Sequence, residues 1–348
     1  MAEPASALRI RQLTQIFGPT PQKFLAAVQR GIGKAELQAA HGHVLALRDV
    51  DIDVPMGAIQ VVMGLSGSGK STLIRHINRL IAPTAGQVWV RLDGREQDVL
   101  QMDPQTLLRY RREHTAMVFQ SFALLPHLSV LDNVAFGLKM RAVPAPRRQQ
   151  QALQWLARVG LAGDQHSYPH QLSGGMQQRV GLARALCVGA PLLLMDEAFS
   201  ALDPLIRSEM QELLLALHQE TGKTIVFITH DLDEALRLGH RIAILRDGAV
   251  VQQGTGEQIV LHPADDYIRS FVKDLNRGRV LRCQSLMHAA APVSGPSVQF
   301  DLVIEEAARL LNAQRLPAAN VLDAKGAHLG VIRLEEILTA MLPPAASR

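Results

Sequence analysis

Apolar and polar positions along this chain follow three patterns. From Leu47 through Val54 they alternate, with Val50, Ile52 and Val54 on one face, so residues 44–54 predict a half-buried antiparallel strand turned by Pro55-Met56-Gly57. A continuous apolar run of strand length, Leu192–Met195 before Asp196, predicts a parallel strand buried on both faces, and the largely apolar Ile59–Met63 and Thr224–Thr229 read as buried strands too. Spacings of three and four predict helices. Leu73, Ile74, Ile77 and Leu80 give one over 72–80; Leu153, Leu156 and Val159 point inward from one over 148–161; Ile206, Met210, Leu213 and Leu217 share a side of one over 204–220.

Further strands are expected at 8–17, 87–92 and 115–119, and a pair at 241–245 and 249–252 across Asp247-Gly248. Residues 21–42 predict two short helices broken by Gly31-Ile32-Gly33. Asp103-Pro104 opens a helix through Arg112, and the last helix of this part spans 265–275. From about Ser121 to Leu172 strand signals stop. A helix over 128–138 with Ser129 as N-cap, and then the 148–161 helix, form an insertion between strands. Further helices follow at 176–188 and 232–238. Strands alternating with helices imply a mainly parallel three-layer α/β core. Residues 276–299 look like a linker, and 300–348 carry one helix–strand–strand–helix unit: Leu302–Asn312, Ala319–Asp323, Leu329–Arg333 and Leu334–Met341.

Composition narrows the class. The 348 residues are 47% hydrophobic and 20% charged with a formal net charge of +4, enough core for two domains. No Lys/Arg block of five stands out, so charge does not point to nucleic acid. The two cysteines, Cys187 and Cys283, show no metal-ligand or CxxC spacing, which implies free thiols in a reducing compartment. The first residues lack the apolar core of a signal peptide. The richest apolar stretch, Val180–Met195, is broken by Arg184, Gly189 and Pro191, so no span of a bilayer is expected and any membrane partner must supply its own.

The chemistry centres on Gly64-Leu65-Ser66-Gly67-Ser68-Gly69-Lys70-Ser71-Thr72, which lies between a predicted strand and a predicted helix. Glycines there let backbone N–H groups converge on phosphate oxygens at a helix N-terminus. Lys70 is expected to reach the outer phosphates and the Ser71 hydroxyl to bind Mg²⁺. Asp196 ends an apolar strand, at the ligand edge of such a sheet, and is a second Mg²⁺ ligand. Glu197, the next residue, suits a general base that polarises an attacking water.

With Leu172-Ser173-Gly174-Gly175-Met176 added, the chain resembles the nucleotide-binding subunit of an ABC transporter over roughly residues 8–270. That string matches the family's signature motif. Gln120 matches its Q-loop, Ser200-Ala201-Leu202-Asp203 its D-loop, and Thr229-His230-Asp231 its switch histidine. The resemblance implies a P-loop NTPase fold with a mainly parallel core sheet, an antiparallel β subdomain and a helical subdomain near 121–175, within an ATPase domain of residues 1–275. It implies that ATP and Mg²⁺ bind between two copies in a head-to-tail homodimer. Ser173, Gly174 and Gly175 would meet the γ-phosphate held by the other copy. His230 would hydrogen-bond that phosphate, Gln120 would ligate Mg²⁺, and Phe17 would stack on adenine, where the family usually has tyrosine.

Asp196–Arg207, Met63–Ser66, the 18–42 insertion and Val118–His127 resemble one branch, the importers of glycine betaine, proline betaine and choline. Partners implied are integral membrane permease subunits and a separate substrate-binding protein at the cytoplasmic face of the inner membrane, with no nucleic acid. Alternatives are an importer of amino acids or anions, and a soluble ABC ATPase of DNA repair or translation. The latter usually has two cassettes or a long coiled-coil arm, and neither appears here. The 300–348 unit resembles a single CBS motif.

Overall fold

The computed structural model describes residues 5–273 and 275–342. The N-terminal stretch 1–4, Asp274 of the predicted 265–275 helix and residues 343–348 of the predicted C-terminal unit lie outside the described residues. The chain divides into two units, Met1–Gln253 and Gly254–Arg348.

Two sheets build the first unit. Strands β1 (Ser6–Phe17), β2 (Val44–Pro55), β4 (Ala85–Leu92) and β5 (Arg95–Asp98) form an antiparallel sheet of order β2-β1-β4-β5, with β3 (Ile59–Met63) assigned to the other. That second sheet adds β6 (Thr115–Phe119), β7 (Leu192–Asp196), β8 (Thr224–Thr229), β9 (Arg241–Arg246) and β10 (Ala249–Gly254) in the order β10-β9-β3-β8-β7-β6. From β9 to β6 every pairing is parallel. All residues of β3 and β8 are buried, which is why their sequences are mostly apolar rather than alternating, with Gln60, Thr224 and Thr229 the polar positions among them.

The described α-helices of this unit are α1 (Leu25–Gln29), α2 (Lys34–His41), α3 (Lys70–Ile77), α4 (Pro104–Arg109), α5 (Val130–Met140), α6 (Ala145–Arg158), α7 (Gly174–Cys187), α8 (Pro204–Thr221) and α9 (Leu232–Leu238). One core joins the two sheets: Leu8, Ile10 and Val88 from the antiparallel sheet meet Val62, Leu194 and Val226 from the parallel one, with Leu73, Ile74 and Ile77 of α3 in the same cluster. Each such side chain contributes about 1.5–3 kcal/mol on burial, so α3 is fixed firmly under the loop that precedes it. Ser129, Asp103 and Asp203 each cap a helix by accepting backbone N–H bonds.

Some expectations need correction. The helix over 72–80 ends at Ile77, because Tyr110 takes the Ile77 carbonyl at 2.9 Å and Arg111 takes the carbonyls of Asn78 and Arg79. Arg79 turns left-handed at φ +47°, and Leu80 is left 50% exposed instead of facing the core. Leu153 points outward, because the buried face of α6 runs through Ala152 and Leu156, with Val159 buried just past its end. The helix from Pro104 gives way to a wider π-type turn over Tyr110–His114.

The second unit contains α10 (Gly256–Leu261), α11 (Asp266–Val272), α12 (Cys283–Leu286), α13 (Ile304–Gln314), α14 (Leu334–Met341) and a sheet of order β11-β12-β13 (Ser297–Gln299, Ala318–Leu322, His328–Arg333). Residues 276–299 are not an extended tether: Arg277 is buried and donates to the Val260 carbonyl, and Leu281 and Cys283 are fully buried. Both cysteines are free; burial pushes the Cys187 thiol up to about 12 and the Cys283 thiol up to about 11. Among the described residues, no helix is long and apolar enough to cross a membrane.

Candidate functional site

The loop between β3 and α3 needs glycine at two points in particular. Gly64 has φ +154°, and a Cβ there would lie 2.2 Å from the Leu245 carbonyl oxygen; Gly69 has φ +101°, and its Cβ would lie 2.4 Å from that of Ala46. Backbone from two neighbouring segments therefore presses on the loop, and only glycine fits. The turn delivers Lys70 to the first position of α3. Its ammonium donates to the carbonyls of Gly64 at 2.7 Å and Leu65 at 3.0 Å and lies 3.6 Å from Glu197 Oε1. Burial lowers the Lys70 pKa, and the Glu197 carboxylate opposes that shift.

Two side chains from different elements meet beside it. Ser71 Oγ donates to Asp196 Oδ1 at 2.9 Å, joining the start of α3 to the end of β7. Burial raises the Asp196 pKa, opposed by the Ser71 hydroxyl. A hydroxyl and a carboxylate suit a hard, oxygen-loving cation. Among the described residues no group of three His, Cys, Asp or Glu side chains forms a metal site, so such a cation must complete its shell with phosphate oxygens, water or amide oxygens.

Glu197 itself is strained at φ +45°. Its N–H bonds the Ile228 carbonyl at 3.1 Å, and its carbonyl accepts from Ser200 N at 3.2 Å and Ser200 Oγ at 2.9 Å. On its other side Glu197 Oε2 lies 3.5 Å from His230 Nδ1. Lys70, Glu197 and His230 thus form a row along the C-terminal ends of β3, β7 and β8. A cleft of about 540 Å³ opens over this edge, lined by Phe17, Ser66, Gly67, Gly69, Lys70, Ser71, Thr72, Gln120 and Glu197.

A family model described as ABC transporter matches residues 47–200. The chain is 48% identical over 299 residues to the glycine betaine transport ATP-binding protein OpuAA of Bacillus subtilis (strain 168), covering 85% of this chain and 71% of that protein. The chain belongs to the family of ABC transporter ATP-binding subunits. This ABC subunit is also 43% identical over 344 residues to the glycine betaine/proline betaine transport system ATP-binding protein ProV of Escherichia coli (strain K12), covering 97% of this chain and 83% of that protein. It is 44% identical over 332 residues to the trimethylamine N-oxide transport system ATP-binding protein TmoW of Ruegeria pomeroyi, covering 95% and 96%. Among solved structures it matches the dimeric post-hydrolysis state of the ATP-binding cassette MJ0796 bound to ADP and Pi, at TM-score 0.59 and 32% identity over 72% of this chain and 98% of that one.

Within one copy of this ABC subunit the remaining sequence-derived residues do not line the cleft. Ser173 caps α7, its Oγ accepting from Met176 N at 3.3 Å. Gly174 faces Phe122, and a Cβ on Gly175 would come within 2.6 Å of the Ile206 side chain. Asp203 spends its carboxylate on the N–H of Ile206 at 3.1 Å. Gly64, Leu65 and Ser68 belong to the loop without lining the cleft; Ser68 is buried beneath it. Conversely, Lys34, Val44 and Ala46 line the cleft and carry no motif. Val44 pairs with Phe17 across β1 and β2, and its place in a predicted strand is the one sequence signal for it. For Lys34 the sequence offers no such signal.

Proposed function

We propose that this chain is the ATP-hydrolysing subunit of an importer for quaternary amines: glycine betaine, proline betaine or choline. The observation that carries the chemistry is the Lys70–Glu197–His230 row over a glycine loop, with Ser71 and Asp196 joined beside it. Backbone N–H groups of residues 64–72 and the Lys70 ammonium bind the phosphates of ATP. Ser71, Asp196 and Gln120 hold Mg²⁺, which when bound neutralises charge on the outer phosphates. Glu197 accepts the proton of the attacking water. His230 holds that water and the γ-phosphate. The strain at Glu197 keeps its carboxylate turned into the cleft at the end of β7.

Ser173, Gly174, Gly175 and Asp203 act on the ATP of a second copy, so the working unit is a homodimer with two buried nucleotides. A groove of about 400 Å³ lined by Phe119, Ala123, Phe136, Met140 and Arg184 supports docking of a permease subunit at the cytoplasmic membrane face. The cargo is selected by a separate binding protein, and nucleic acid plays no part. In this scheme residues 1–275 are the ATPase domain, with its helical part near 121–175, and 276–299 lead to the unit at 300–348. The α13–β12–β13–α14 order supports the CBS-like reading of that unit. A second cargo, trimethylamine N-oxide, is favoured by the similarity to TmoW; its nitrogen, like that of the betaines, carries no N–H.

Glu197→Gln should retain ATP binding, accumulate an ATP-bound dimer on size-exclusion chromatography and lose turnover by two or more orders of magnitude. Brisk phosphate release by that variant would remove Glu197 from its role. Uptake of labelled glycine betaine, choline and trimethylamine N-oxide into proteoliposomes holding this chain with its permease and binding protein decides the cargo; ATP-driven uptake of none of them rejects the class.

A further inference from the structure

The insertion at residues 18–42 has no part in the chemistry above, yet it is well packed. Ile16, Val28, Leu37 and Leu45 form a buried cluster of their own, with Phe24 and Ile32 against it. Arg48 donates to the Ile32 carbonyl, Gln22 Nε2 donates to Thr84 O at 2.8 Å, and the Phe24 ring lies 4.7 Å from that of His41 and 4.4 Å from that of His43. These contacts seat α2 on β1 and β2. Leu37, fully buried, lies one turn beyond Lys34 and so fixes where the first residue of α2 goes. Lys34 Nζ donates to the Gly67 carbonyl at 3.0 Å, in the middle of the phosphate loop, and lines the cleft with Phe17, Val44 and Lys70.

An ammonium has three donors, and Gly67 takes one. Lys34 stands in the cleft with the Phe17–Val44 rung and the loop that leads to Lys70. With a base against Phe17 and the outer phosphates at Lys70, the sugar and innermost phosphate pass between. We infer that Lys34 is a nucleotide-binding residue of this cleft: anchored to the loop through Gly67, it gives a charge-assisted hydrogen bond to the α-phosphate. The inference rests on the nucleotide reading of the cleft. It assigns the insertion a role, since an eight-residue helix that begins at the loop delivers a cation that neither β1 nor β2 supplies. By tying down the Gly67 carbonyl it also leaves less of the loop to be ordered on binding.

The test uses the full chain. Lys34→Met keeps the stem and removes the charge; Lys34→Arg keeps a charged donor. Dissociation constants for ADP and ATP are measured by titration calorimetry, with Lys70→Ala as a control and the melting temperature of the free protein recorded. Lys34→Met should weaken ADP and ATP by a common factor, roughly tenfold, with most of the loss restored by arginine and the free protein's melting temperature unmoved. Wild-type affinities in Lys34→Met, while Lys70→Ala loses ATP, overturn the role of Lys34 and leave the cleft a nucleotide site. A loss confined to ATP overturns the α-phosphate assignment. A fall in both melting temperature and affinity that arginine does not rescue marks Lys34 as structural and overturns its contact with nucleotide. Failure of the wild type to bind either nucleotide overturns the reading of the cleft itself.

Discussion

Glu197 holds a left-handed backbone at φ +45°, a conformation that costs a non-glycine residue about 1–3 kcal/mol. Three backbone-directed bonds, to Ile228 and from Ser200, hold it there, and the strain aims the carboxylate between Lys70 and His230. Glu234, one turn past His230 in the chain, shows a different balance. It is buried on α9, accepts from Gln211 Nε2 at 3.1 Å, and has its pKa raised first by burial and further by Asp231, with Arg207 and the Thr229 hydroxyl opposing. With the folded pKa above the unfolded one, the stability this group contributes is complete below the ordinary carboxylate value and is lost as pH rises through the folded value. Glu234→Gln removes that dependence. Its melting temperature relative to wild type should therefore climb from acidic to alkaline pH in thermal unfolding scans; a constant difference across pH would show that Glu234 is not held against ionisation.

Among the elements, α6 shows how pattern and packing part company. Spacing put Leu153, Leu156 and Val159 on one inward face, yet Leu153 is 45% exposed while Leu156 is 1% exposed. Leu156→Ala should cost about 2–5 kcal/mol in denaturant unfolding, whereas Leu153→Gln should stay within about 0.5 kcal/mol of wild type. Equal losses would restore the face expected from spacing. The helical part is also tied to the segment after Gln120. Phe122 and Ala123 both take left-handed backbone, and Arg184 of α7 donates to their two carbonyls at 3.1 and 2.6 Å. The segment after Gln120 is thereby fastened to the helix that Ser173 caps.

For the molecule as a whole, the cleft of one chain is not lined by Ser173–Gly175, which the proposed chemistry places on the nucleotide. Two defective chains should therefore complement each other. In a Glu197→Gln background, neither a Lys70→Ala chain nor a Ser173→Arg chain alone should trap ATP. In their heterodimer one site receives the intact loop of one chain and the intact signature of the other. Mixing them should trap one ATP per heterodimer, counted by nucleotide release from the isolated complex. No trapped nucleotide in the mixture would mean that the site is completed within a single chain.

Much of the site was legible because its signals are short and local. A strand, a glycine loop and a helix must be contiguous to make a phosphate cradle, so Gly64 to Thr72 announced themselves, and the buried runs ending at Asp196 and Thr229 placed Glu197 and His230 at strand ends. The mainly parallel core was legible from strands alternating with helices, and the largely apolar runs agree, since strands covered on both faces alternate little. Other features depended on packing. A lysine opening an amphipathic helix is, in sequence, indistinguishable from any solvated cation, and nothing local ties Lys34 to Gly67, 33 residues away. Which leucine of α6 is buried, where α3 stops, and whether residues 276–299 are loose or packed are likewise set by partners distant in the chain: Tyr110 at Ile77, and Val260 at Arg277. Local chemistry thus determined which residues are the candidates for holding phosphate and moving a proton. Tertiary contact alone decided which of them share one cleft and which face away from it, because those distances close only when the sheets and the insertion pack.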